Sequence, residues 1–134
     1  MNDIVREIAG MRILICAADA SQLLKESDAN TFISAAWHHE ATMVAIPVER
    51  LSDDFFRLST RLAGEVVQKF ANYRLRLAVV GDISEWISQS KSLRDFVYEA
   101  NNGQVVWFAA DEDELGRRLA TDDGRDAPST VAKL

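Results

Sequence analysis

Residues 43–80 read MVAIPVERLSDDFFRLSTRLAGEVVQKFANYRLRLAVV, and they decide the fold class. Met43 to Val48 is a short apolar run, and so is Leu75 to Val80 at the far end. Runs of this length between turn signals read as buried strands. Between them Phe56, Leu58, Leu62, Ala63, Val66, Val67, Phe70 and Tyr73 recur at helical spacing. That period predicts one long amphipathic helix from Phe55, with Arg57, Arg61, Gln68 and Asn72 on its polar side. Strand, helix, strand implies a parallel pair joined by a right-handed crossover. Pro47 has no N–H for a ladder, so it marks an edge, a bulge or the end of its strand. Leu51-Ser52-Asp53-Asp54 reads as a helix start, where Ser or Asp caps free N–H groups and acids match the dipole.

The alternation continues outward in both directions. Val5–Ile8 and Met11–Ala17 form a hairpin through Ala9-Gly10. A helix follows from Ser27 or Asp28 to Trp37, with Ala29, Phe32, Ile33, Ala36 and Trp37 on one face. His38-His39 closes it, where imidazolium suits the negative end of the dipole. Beyond Gly81-Asp82 lies a short helix, Ser84 to Gln89. Ser92-Leu93-Arg94-Asp95 resembles a capping box for a helix ending near Gly103. Val105–Ala109 is the last strand, and Asp111-Glu112-Asp113-Glu114 opens a final helix to about Ala120. The expectation is a single α/β domain over residues 1–120. Its mixed, mostly parallel sheet has about five strands, an N-terminal β-hairpin and helices packed on it. Residues 121–134 contain DDGRDAPST and are expected to be a disordered tail.

At 134 residues the chain is long enough to build a core without disulfides or a structural metal. Its single cysteine, Cys16, lies in an apolar run and reads as a small buried hydrophobe. One cysteine and two adjacent histidines are too few soft ligands for a zinc site, and no cofactor is expected. A net charge of -6 disfavours duplex DNA and anionic membranes as partners, since both demand clustered cations. No apolar run approaches the roughly 18 residues of a membrane span. The first residues carry charges where a signal peptide would be apolar, so a cytoplasmic location is expected.

The segments IPVERLSDDFFRLSTRLAGEVVQKFANYRLRLAVVGDIS and SLRDFVYEANNG resemble a bacterial family catalogued as a domain of unknown function, family 4180. The resemblance covers residues 4 to 120 and brings no activity, cofactor or site residue with it. The order of elements is also similar to the STAS domain of anti-sigma-factor antagonists. That resemblance implies a regulatory role and a phosphorylatable serine in the loop before the second helix. Here the loop is Leu51-Ser52-Asp53-Asp54-Phe55, which departs from the family's Asp-Ser-Ser-Gly pattern. Either Ser52 takes a phosphate, or Asp53 and Asp54 imitate its charge of about -1.5 to -2 permanently.

Three functions follow as expectations. The first is a non-enzymatic protein-binding module working through residues 51–72. Its candidate binding residues are Ser52, Asp53, Asp54, Arg57, Arg61, Asp82, Ser84 and Trp86. Arg57 and Arg61, four apart, would share a helix face and recognise an acidic group. Trp86 sits in the most loop-like place and reads as an interface anchor. The second is a small Mg²⁺-dependent or phosphoryl-handling enzyme, if Asp53, Asp54, Asp82 and Asp111 converge at the strand ends. Against it, each acid also stands where capping a helix explains it. The third is a homodimer using Trp86 or the Arg57 helix. Gly64, mid-helix, is expected to permit close packing against another element, with approach of a ligand or partner helix as the alternative. No catalytic residue is assigned, because no nucleophile elbow, phosphate loop or dinucleotide fingerprint is present.

Overall fold

A computed structural model describes residues 3–122. The hairpin pairs β1 (Ile4–Ile8) antiparallel with β2 (Met11–Ile15). Ala9 and Gly10 turn it with φ of 52° and 81°, the signs a two-residue loop needs to match the strand twist. β3 (Met43–Pro47), β4 (Arg76–Val80) and β5 (Val106–Ala109) then add in parallel, giving the order β1-β2-β3-β4-β5. Pro47 is the last residue of its strand, where a missing N–H costs no interior ladder bond.

Because the parallel strands follow one another in chain order, each right-handed crossover falls on the same face. That face carries α1 (Ala29–His38), α3 (Leu62–Asn72) and α5 (Lys91–Asn101). Phe32, Ile33, Val66, Phe70, Leu93 and Val97 pack there on Leu14, Val44, Ile46, Leu77, Val79 and Phe108. α2 (Asp53–Phe56) and α4 (Ser84–Gln89) are short turns at the C-terminal ends of the strands. α6 (Glu112–Asp122) crosses to the second face, where Leu115 and Leu119 cover Ile13, Met43, Ala45, Ala78 and Trp107. The α/β class, the mixed five-stranded sheet and the hairpin are therefore as the patterning predicts. Of the expected tail, Thr121 and Asp122 belong to α6, and residues 123–134 lie outside the described residues.

Four local expectations give way to the structure. The long helix is broken: α2 ends at Phe56, a single 3₁₀ turn spans Leu58–Thr60, and α3 starts after Arg61 at φ 70°. Thr60 causes this. Its Oγ1 lies 2.7 Å and 2.8 Å from the carbonyls of Asp54 and Arg57, and accepts from Leu62 N at 3.3 Å. A hydroxyl that binds backbone groups in this way replaces the helical ladder. The α5 cap is Ser90, which accepts from Leu93 N at 3.1 Å, rather than Ser92. Asp28 does not cap α1; its carboxylate turns back to the amides of Leu24 and Lys25. Those two bonds hold its carboxyl below the ordinary carboxylate range. Trp37 lies at the margin of the α1 stripe and is 65% exposed, edge-on to Tyr73.

Candidate functional site

The chain leaving β3 makes one turn, Val48–Arg50, before the loop that opens α2. Arg50 in that turn is buried. Its Nε donates to Ser21 O at 2.6 Å, its Nη1 to Ala17 O at 2.7 Å, and its guanidinium lies 4.9 Å from the centre of the Phe32 ring. Leu23 N also donates to Arg50 O, and Leu23 bridges Leu51 as a parallel pair. The loop after β2 is thus pinned over the ends of β2 and β3. Sequence reasoning missed Arg50, because a lone arginine between strand and helix carries no periodic signal. Cys16 opens this loop and is buried; burial, with Asp3 nearby, pushes its thiol up to about 12, against a smaller opposing pull from Arg50.

Ser52 stands in the N-cap position of α2 with extended backbone, yet its hydroxyl caps nothing. Ser52 Oγ is buried and has no hydrogen-bond partner among the described residues. Asp53 and Asp54 are exposed and flank Arg57, at 4.0 Å and 3.8 Å. The Arg57 guanidinium lies 5.7 Å from the centre of the Trp86 ring. Trp86 in turn stacks on the buried Phe56, with ring centres 5.4 Å apart. The fold therefore brings Asp53, Asp54, Arg57 and Trp86 into one patch, although Trp86 is remote in sequence.

Asp82 and Ser84 set the entry to α4 and hence the place of Trp86. Asp82 Oδ1 accepts from Ser84 N at 2.9 Å, and this bond holds its carboxyl below the ordinary carboxylate value. Asp111 Oδ1 accepts from Glu114 N and caps α6, while Glu114 Oε1 accepts from Ala110 N just before it. The strand-end acids thus serve their own helix starts or pair with Arg57. Among the described residues no three Asp, Glu, His or Cys side chains form a group able to hold a metal ion. The sheet order also has no reversal, the place where open α/β sheets usually form a ligand crevice.

Arg61 does not share a helix face with Arg57, because the break at Thr60 separates them. It stands instead on an open cleft of about 1070 Å³ over the outer face of α3, with Leu58, Gly64, Glu65, Gln68 and Tyr73 among its lining. Gly64 does not permit close packing within the domain: a Cβ built there meets nothing within 4 Å.

Fold and site define a class: a small α/β domain with three crossovers on one face, bearing a charged aromatic loop and an open helical cleft. The chain belongs to the family described as Domain of unknown function (DUF4180), whose model matches residues 8–119. No curated protein and no solved structure matches it. No helix among the described residues is long and apolar enough to cross a membrane.

Proposed function

We propose that the domain is a non-enzymatic, protein-binding regulatory module of the bacterial cytoplasm. In this reading it is STAS-like in using the loop ahead of the second crossover helix. Its working surface is the loop and helix 51–72 together with Trp86. The observation that carries the reading is the patch in which Asp53 and Asp54 flank Arg57 and Arg57 lies over Trp86. Exposed charges of both signs set register and on-rate with a partner, and a half-buried tryptophan backed by Phe56 supplies a rigid apolar anchor. The buried Ser52 hydroxyl favours the version in which Asp53 and Asp54 carry the charge without phosphorylation.

The test is affinity capture from a native extract with wild type and Asp53→Ala/Asp54→Ala baits, read by mass spectrometry, with circular dichroism to verify the fold. A stoichiometric partner lost only with the folded variant supports the module. Undiminished capture overturns the role of the aspartates. A bare result with both baits, followed by saturable Mg²⁺ or Mn²⁺ binding lost in Asp82→Ala, replaces it with the enzymatic alternative.

A further inference from the structure

We propose that the α3 cleft is a contact surface between two copies of this chain, related by a two-fold axis beside Gly64. Three observations meet there. Gly64 lies exposed in the first turn of α3, and a Cβ built there meets nothing in the domain within 4 Å. Arg61 and Glu65 flank it, exposed and opposite in charge, and neither side chain has an ion-pair or hydrogen-bond partner among the described residues. Their neighbours are satisfied: Lys69 pairs with Glu26 at 2.6 Å and Gln68 bonds Asn72 at 2.9 Å. Finally, the cleft is apolar at both ends, with Leu58 at one and Tyr73, 47% exposed, at the other.

A foreign partner would need the reverse charge pair at the same spacing. A second antiparallel copy of α3 supplies it automatically. With a rise of about 1.5 Å per residue, Arg61 lies about 4.5 Å before Gly64 and Glu65 about 1.5 Å after it. Turned about the axis, Arg61 and the second copy's Glu65 differ by about 3 Å along the helices, well within reach of two long side chains. The pair forms twice, as an isologous interface requires. The same rotation lays Leu58 towards the second copy's Tyr73 and Tyr73 towards its Leu58. Glycine at the crossing lets the helix axes approach to about 8 Å, the short end of the usual range.

Sedimentation velocity of the full purified chain over a concentration series tests this. Wild type is expected to dimerise. Gly64→Leu, whose Cβ meets no atom of the domain within 4 Å, is expected to remain folded by circular dichroism and become monomeric. Arg61→Glu is expected to raise the dimer dissociation constant roughly tenfold or more, and Arg61→Glu/Glu65→Arg to restore it. Three results overturn the proposal: wild type monomeric throughout, a dimer that survives Gly64→Leu, or a charge exchange that does not restore association. Asp53→Ala/Asp54→Ala is expected to leave the dimer intact, so loss of partner capture and loss of self-association are read separately.

Discussion

Arg50 shows how much one residue holds. Burying a guanidinium is costly unless its donors are satisfied, and here two backbone carbonyls and the Phe32 ring do so. Arg50→Met keeps the apolar stem and removes both bonds. A loss of about 2 kcal/mol is expected in urea denaturation, short of the sum for two charged bonds because exposed Ser21 can turn to water. Faster amide exchange at Leu23 should accompany it. Cys16 offers a second test. Its folded pKa of about 12 lies above the ordinary 9.0, so the unfolded thiol loses its proton first. Its contribution to stability is complete below pH 9 and is lost as pH rises from there through about 12. Cys16→Ala should remove that part of the alkaline slope, measured by denaturant titration across the window.

At the scale of elements, the helix over residues 55–73 is the instructive case. Its apolar spacing is regular, and Val66 and Phe70 are buried as that spacing requires. The break at Thr60 was not legible, because a threonine inside a helical pattern gives no sign of whether its hydroxyl will point to solvent or bind carbonyls. Gly64 was legible as an anomaly but not as to cause. At concentrations where the chain is monomeric, Gly64→Ala is expected to stabilise the domain by up to about 0.5 kcal/mol in thermal denaturation, since the methyl group enters open space and first-turn helix propensity improves. A destabilisation would mean that the position is packed after all. Trp37 fails for a related reason: a stripe assigned by spacing has margins, and a large ring there is buried only if a neighbouring element reaches it.

For the whole molecule, the decisive fact is that strand order follows chain order. One face of the sheet receives every crossover, and among the described residues α6 alone covers the other. Trp107 is buried on that second face, with the guanidinium groups of Arg76 and Arg118 over its ring at 4.3 Å and 3.7 Å. Leu115 is 1% exposed and packs with it. Leu115→Ala is expected to cost about 3 kcal/mol in denaturant unfolding, a full core penalty, because no second helix among the described residues can close the cavity.

By itself the sequence determined the class, the hairpin, the parallel strands and the presence of helices between them, though not the break at Thr60. These follow from local periodicity, turn residues and chain order, which are short-range properties, while the family follows from the resemblance of residues 46–84 and 92–103. The same reasoning found the loop Ser52–Asp54, Arg57 and Trp86, but not that they meet. Only the tertiary structure decided that Trp86 stacks on Phe56 beneath Arg57, that Arg50 pins the loop after β2, and that Gly64 faces open space. Those facts depend on which strand lies beside which and on what fills the gaps between helices, and no window of sequence contains both sides of such a contact.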